Sequence, residues 1–206
     1  MKMLSLAGAM SAILIAVAGA PQATAQVSSA DPAAVKAGAY KVETGHTQIG
    51  FSISHFGFTD YAGLFSGATG TLQLDTANPG DSKLAVTIPV QSILTTVPQL
   101  TDILKGGQWF DVAKYPTATF TSTQVVRTSA DTATIVGDLT LHGITKPVTL
   151  KAHLVGSGVN PLDKAFTAGF SATGTIKRSD YGISQFLPLL GDDVQLTISG
   201  AFELQP

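Results

Sequence analysis

The chain has 206 residues, of which 12 are Lys or Arg and 14 are Asp or Glu, so its formal net charge is −2 at pH 7. This balance does not attract nucleic acid or an anionic membrane surface. Cysteine is absent, which excludes disulfides, thiolate chemistry and most structural zinc sites, so we expect burial of apolar side chains to supply the stability.

The first 25 residues have the layout of a secretory signal peptide. Lys2 gives them a positive start, an apolar run follows from Leu4 to Ala20, and they end in Ala23-Thr24-Ala25, a small-x-small cleavage site. We therefore expect residues 1–25 to be removed on export to the periplasm. Residues 26–38 are small and polar and are predicted to form a flexible lead-in, which leaves 39–206 as one folded domain.

From residue 39 onward, strand-length segments alternate between apolar and small polar side chains. Ile49, Phe51 and Ile53 fall on one side of a pleated strand, and Ser52 and Ser54 fall on the other. Short, turn-rich connections indicate that neighbouring strands are antiparallel. The predicted strands span Ala39–Glu43, Thr47–His55, Leu64–Leu74, Lys83–Val90, Ala118–Val126, Thr132–Leu141, Val148–Val155, Ala165–Lys177 and Val194–Leu204.

Two intervals interrupt this period-two pattern. In Gln91 to Tyr115, apolar residues three and four apart predict a short helix from about Pro98 to Lys105, which ends at Gly106-Gly107. The second interval, Tyr181 to Gly191, is unusually apolar for a loop. Both intervals are predicted to cover an opening.

An antiparallel sheet of about eight strands with one apolar face closes into an up-and-down barrel or folds into a sandwich. Small residues on the apolar face favour a hollow interior, although glycines in strands also mark the bends that closure needs. These small positions are Gly137, Ala152, Ala168, Ala172, Gly174 and Gly200.

An apolar cavity selects an apolar ligand. Drug-sized ligands gain roughly 0.3 kcal/mol per non-hydrogen atom, so a chain of about 16 carbons gains roughly 5 kcal/mol and long chains are favoured. The residues predicted to contact the ligand are Ile49, Phe51, Ile53, His55, Phe65, Val86, Ile88, Trp109, Phe110, Phe120, Leu139, Leu150, Phe166, Phe170, Ala172, Phe186, Leu189 and Phe202.

Several segments together resemble the YceI-like family, in the right order and over nearly all of residues 39–206. They are Tyr40–Glu43 followed by His46, then Phe51–Phe58, Gly63–Phe65, Trp109–Phe120, Gly137–Val148 and Arg178–Gly182. The resemblance implies an all-β fold, a lipocalin-like antiparallel barrel with one short helix. It also implies a periplasmic protein that holds a polyisoprenoid or related long-chain lipid, such as a prenyl quinone, a prenyl phosphate or a fatty acyl compound, in its lumen.

A few polar residues have two interpretations each. His55 and His142 either bind a polar head of the ligand at the barrel mouth or are structural histidines at strand ends. Arg178 either meets a phosphate or carbonyl head or pairs with Asp180 or Asp192. The sequence has no metal-binding motif and no catalytic motif, so we predict neither catalytic residues, metal ligands nor a cofactor other than the bound lipid.

Three hypotheses about function follow. The favoured one is a soluble periplasmic carrier of a long apolar lipid, without stable membrane insertion and with a homodimer left open. The second is an eight-stranded outer-membrane barrel. Four Tyr and one Trp are too few for the aromatic girdles that such a barrel carries at the membrane surfaces. The third is an enzyme that acts on a bound lipid or quinone inside the same barrel.

Overall fold

The computed structural model describes residues 27–206, so the predicted signal peptide lies outside the described residues. One α-helix, α1, spans Pro98–Lys105, as the sequence predicted, and short 3-10 helices lie at Pro32–Ala34, Pro79–Asp81, Val90–Ser92 and Arg178–Tyr181. The strands are β1 (Gly38–Val42), β2 (Gln48–His55), β3 (Thr59–Phe65), β4 (Thr69–Leu74), β5 (Lys83–Pro89), β6 (Leu94–Thr95), β7 (Thr117–Arg127), β8 (Thr132–Leu141), β9 (Ile144–Val159), β10 (Phe166–Lys177) and β11 (Leu190–Leu204).

These strands occupy eight positions around a closed antiparallel barrel, as the all-β prediction required. Three positions are each filled by two short strands placed end to end: β1 with β2, β3 with β4, and β5 with β6. Both β1 and β2 run along β11, where Val42 lies opposite Phe202 and Gln48 lies opposite Ser199. The remaining five strands are long and unbroken, and the pairing of β1 and β2 with β11 closes the sheet.

The alternation in the sequence sets which side chains point into the barrel. In β9, Val148, Leu150, Ala152 and Leu154 are buried, whereas the residues between them are exposed. Because successive side chains of a strand point to opposite faces, the apolar face is the inner face. Within residues 27–206, no helix is long and apolar enough to cross a membrane.

The predicted strand Leu64–Leu74 is wrong in one respect, because it is broken at residues 66–68. Gly67 has a φ of +72°, which ends the extended run. The backbone N–H of Ser66 turns away from the sheet and donates to Ser92 Oγ at 3.1 Å. Apolar residues continue on both sides of the break, so the period-two pattern did not reveal it.

Other strand bounds are wider than predicted. The part of β3 before Leu64 was missed, and β6 was not predicted at all. The strand predicted over Val148–Val155 extends from Ile144 to Val159. The second covering interval, predicted over Tyr181–Gly191, is two residues shorter in the structure, because β11 already begins at Leu190. The pairing of β11 with β2 shifts its register between Leu190 and Val194, which masks the alternation there.

The predicted lead-in, residues 26–38, includes a point of contact with the barrel. The backbone groups of Ser29 and Ser157 exchange two hydrogen bonds of 2.8 Å. Gly158 sits beside this contact, where an added Cβ would come within 2.7 Å of the Val27 carbonyl oxygen. The chain therefore crosses β9 closely before it enters β1.

Candidate functional site

The barrel encloses two apolar cavities, of about 430 Å³ and about 270 Å³. Five side chains line both of them, and we call this shared ring the waist. It consists of Ile49, Ile88, Phe120, Leu150 and Ile198. Along β11 the lining passes from Leu196 in the larger cavity through Ile198 to Gly200 in the smaller one, so the cavities are consecutive halves of one lumen.

The larger cavity lies under the two predicted covers. Leu100, Ile103 and Leu104 of α1 line it, as do Trp109 and Phe186. The ring centroids of Trp109 and Phe186 are 6.3 Å apart, so the two covering intervals contact each other. Both intervals therefore shape the site, as the sequence predicted.

The smaller cavity lies at the opposite end of the barrel, with Ala152, Ala172 and Gly200 on its wall. Polar residues from strand ends and turns also border it, among them Arg127 and Asp131. This end is therefore apolar inside with a polar rim.

Sixteen of the predicted contact residues line the lumen. Those of the larger cavity are Phe51, Ile53, His55, Phe65, Trp109, Phe110, Leu139 and Phe186, those of the smaller are Val86, Phe170, Ala172 and Phe202, and four belong to the waist. Their contact with a ligand stays a prediction.

Two predicted contact residues, Phe166 and Leu189, lie outside the lining. Phe166 is on the inner face of β10 but packs against the buried cluster around Tyr40, and the Lys36 ammonium lies 4.4 Å from its ring centroid. Leu189 is 61% exposed, and its backbone carbonyl accepts a hydrogen bond from Phe56 at 3.2 Å. Phe166 therefore lies beyond the end of the cavity, and Leu189 faces outward from the loop.

The small residues on the inner face have two different roles. Ala152, Ala172 and Gly200 widen the smaller cavity. Gly137 instead allows close packing, since an added Cβ would lie 2.4 Å from Phe120 Cζ. Gly174 is similar, with a distance of 2.8 Å to Leu150 Cδ2. These two glycines therefore make room for neighbouring side chains and not for a ligand, so the expectation that they widen the lumen is wrong.

Several lining residues were not predicted. Those on strands follow the same alternation as their predicted neighbours, so the period-two pattern alone contained the signal, and those on α1 share one helix face. They include Leu84, Ile135, Leu141, Ile176, Val194 and Leu196 on strands, with Leu100, Ile103 and Leu104 on the helix. Tyr61 has no such signal, because its strand was missed.

Arg178 is the most buried charged side chain of the site, with an exposed fraction of 4%. It lines the larger cavity, and its Cζ lies 5.9 Å from the Trp109 ring centroid. The predicted pairing with Asp180 or Asp192 is wrong: the guanidinium donates instead to the backbone carbonyls of Gly191, Ile183 and Leu190 at 2.8, 2.9 and 3.1 Å.

Charge and burial act in opposite directions on this residue. Burial lowers the pKa of Arg178, and the attraction of Asp192 opposes that shift. Asp192 itself accepts two hydrogen bonds from Ser179, at 2.9 Å from the backbone N–H and at 2.8 Å from the hydroxyl. Since arginine is not deprotonated in proteins, the guanidinium stays charged.

The two histidines with alternative interpretations differ. His142 Nδ1 donates to the Tyr181 carbonyl at 2.9 Å and its ring packs edge-on against Tyr115, so it is a structural histidine. His55 lines the larger cavity at an exposed position, with its ring centroid 4.5 Å from that of Phe56. Across the described part of the chain, no group of three or more potential metal ligands occurs.

A closed eight-stranded antiparallel barrel around an apolar lumen defines the lipocalin-like class of barrels. The family model described as the YceI-like domain matches residues 40–202. The chain therefore belongs to the YceI-like family.

Relatives agree with this assignment. The chain is 41% identical over 162 residues to Protein YceI of Escherichia coli O17:K52:H18, covering 78% of this chain and 84% of that protein. The crystal structure of Burkholderia cenocepacia BcnA superposes with a TM-score of 0.70 at 22% identity, covering 78% of this chain and 98% of BcnA.

A second solved structure shares the fold at lower identity. It is a domain from Saccharophagus degradans described as polyisoprenoid binding and implicated in plant cell wall breakdown. The TM-score is 0.60 at 16% identity, and the match covers 81% of this chain and 98% of that domain.

Proposed function

We propose that the protein is a soluble periplasmic carrier that holds one long-chain apolar lipid in its lumen. The observation that carries the proposal is the pair of apolar cavities joined at the waist. Ligand pockets typically have volumes of about 300–1,000 Å³ and mostly apolar linings. An elongated lumen of this kind fits a chain better than a compact ring system.

The S. degradans neighbour supports a polyisoprenoid or a similar lipid as the ligand, because its domain is described as binding one. Membership of the YceI-like family supports binding rather than catalysis as the role. A periplasmic location rests on the signal-peptide pattern of residues 1–25.

The outward face of the barrel supports a soluble protein over a membrane barrel. In β9 the exposed residues that alternate with the buried ones are Thr149, Lys151 and His153, and in β10 they include Thr173 and Thr175. A membrane barrel needs an apolar band on this outer face and a polar interior. The observed arrangement is the reverse.

The decisive experiment is extraction of the bound molecule. The protein is purified without detergent from its own cells, released from the periplasm by osmotic shock, and extracted with organic solvent for mass spectrometry. We expect one long-chain lipid at close to one molecule per protein, and a mature chain that begins at Gln26. Recovery only in detergent-solubilised membranes would contradict the soluble carrier, and an extract free of lipid would contradict the binding role.

A further inference from the structure

Arg178 carries a buried positive charge that forms no direct ion pair with the described residues. Among residues 27–206, no carboxylate oxygen lies within 4.0 Å of its guanidinium nitrogens. Asp192 is the acid that acts on it, and the oxygens of that carboxylate accept hydrogen bonds from Ser179. The three carbonyl groups that hold Arg178 are dipoles without net charge.

The guanidinium also retains unused hydrogen-bond donors. Arginine has five N–H groups, and Arg178 donates one bond from Nε, one from Nη1 and one from Nη2 to backbone carbonyls. One N–H on each Nη atom is therefore left without an acceptor among the described residues. Guanidinium N–H groups are strong donors to the oxygens of a carboxylate or phosphate.

Arg178 borders a space that a ligand can occupy. Arg178 lines the larger cavity, whose remaining lining is almost entirely apolar. A buried charge is costly unless an opposite charge accompanies it, and a neutral carbonyl would accept a hydrogen bond but leave the charge. An oxyanion satisfies both requirements at once.

We propose that Arg178 is the head-group site of the lumen and that it binds the oxyanion, a carboxylate or a phosphate, of a single-chain lipid. The tail then runs from the larger cavity through the waist towards Phe170 and Phe202 in the smaller cavity. This assignment rests on the proposed lipid-binding function and specifies the class of lipid. Trp109, whose ring lies beside Arg178, packs along the first part of the bound molecule.

The test compares ligands that differ only in their head. Delipidated protein is titrated at pH 8 with hexadecanoate, hexadecyl phosphate, hexadecanol and methyl hexadecanoate, each below its micelle-forming concentration. Trp109 is the only tryptophan in the chain, so its fluorescence reports directly on the site. We expect at least one of the two oxyanions to bind tenfold or more tightly than hexadecanol and the methyl ester, and comparison of the two distinguishes a carboxylate from a phosphate site.

Variants of Arg178 separate the contribution of its charge to ligand affinity from the contribution of the apolar cavity. Arg178→Gln is expected to bind hexadecanoate and hexadecanol equally, whereas Arg178→Lys retains part of the preference. Lys177→Gln is the matched control: it removes a positive charge one residue away that is exposed and paired with Asp193 at 2.7 Å, and the preference of the wild type should persist. If Arg178→Gln fails to fold, the head-group series on the wild-type protein still decides the proposal.

The possible failures are distinguishable. Equal affinity of the wild-type protein for all four heads would overturn the head-group assignment and leave lipid binding intact. Retention of the oxyanion preference by folded Arg178→Gln would place the head elsewhere and also overturn it. Absence of binding by every probe would overturn the proposed function itself.

Discussion

Ala172→Trp tests whether a ligand tail crosses the waist. Ala172 lines the smaller cavity and lies between Ala152 of β9 and Ile198 of β11 in the register of the sheet. An indole at this position occupies much of a space of about 270 Å³. We therefore expect the variant to exclude the end of a long chain from this part of the lumen.

The size of the effect follows from the division of the lumen. The smaller cavity holds about two-fifths of the volume of the two cavities, or about six carbons of a 16-carbon chain. At roughly 0.3 kcal/mol per non-hydrogen atom, the loss is about 2 kcal/mol, which weakens hexadecanoate binding roughly 20-fold. A chain of about ten carbons fits the larger cavity alone, so decanoate affinity should not change.

Isothermal titration calorimetry with hexadecanoate and decanoate measures this difference without relying on tryptophan fluorescence. Thr173→Trp is the matched control, because it adds the same ring one residue along β10 at an exposed position. Circular dichroism melts confirm that both variants are folded. An unchanged affinity of folded Ala172→Trp for hexadecanoate would show that the tail does not enter the smaller cavity.

Two further predictions concern stability. Gly137→Ala should lower the free energy of unfolding by about 2 kcal/mol in urea titrations, because the new Cβ would overlap Phe120 Cζ at 2.4 Å. Gly169→Ala is the control: the atom nearest to its new Cβ is 3.7 Å away, so it should cost under about 1 kcal/mol. Equal losses in the two variants would contradict the role of close packing at Gly137. Burial alone would raise the pKa of Glu43, but hydrogen bonds from the His46 side chain and from two backbone N–H groups hold it below its ordinary value of 4.5. A pKa that is lowered in the folded state stabilises that state above pH 4.5, and this contribution is lost as the pH falls through the folded-state pKa. The difference in free energy of unfolding between wild type and Glu43→Gln should therefore shrink in acid. An equal difference at pH 7 and pH 3 would refute the argument.

The inner face of the barrel was predictable because it depends only on the period-two alternation. Phe51, Phe120 and Phe170 reach the lumen for this reason, and the helix Pro98–Lys105 followed equally directly from its apolar spacing and the glycines after it. The break at Gly67 was not predictable, since a positive φ at one residue leaves no trace in the alternation of its neighbours.

The partners of Arg178 illustrate a second limit. Its three carbonyl acceptors come from residues 183–191, a stretch without periodicity that precedes and enters β11. Sequence reasoning paired the arginine with nearby acids because charge is visible in the sequence. Carbonyl groups belong to every residue, so which of them converge on a side chain is decided by the path of the loop.

The two ends of the lumen recognise different parts of a ligand, so the preference for a head group and the preference for a chain length can be changed independently. On the head-group assignment, a charged group at the covered end recognises an oxyanion, whereas Ala152, Ala172 and Gly200 at the other end set how long a tail is accepted. Effects of sites that share no contacts usually add. Combining Arg178→Gln with Ala172→Trp should abolish the preference for oxyanions and shorten the preferred chain by amounts that equal those of the single variants. Non-additive losses would mean that the head and the tail do not occupy opposite halves of one lumen.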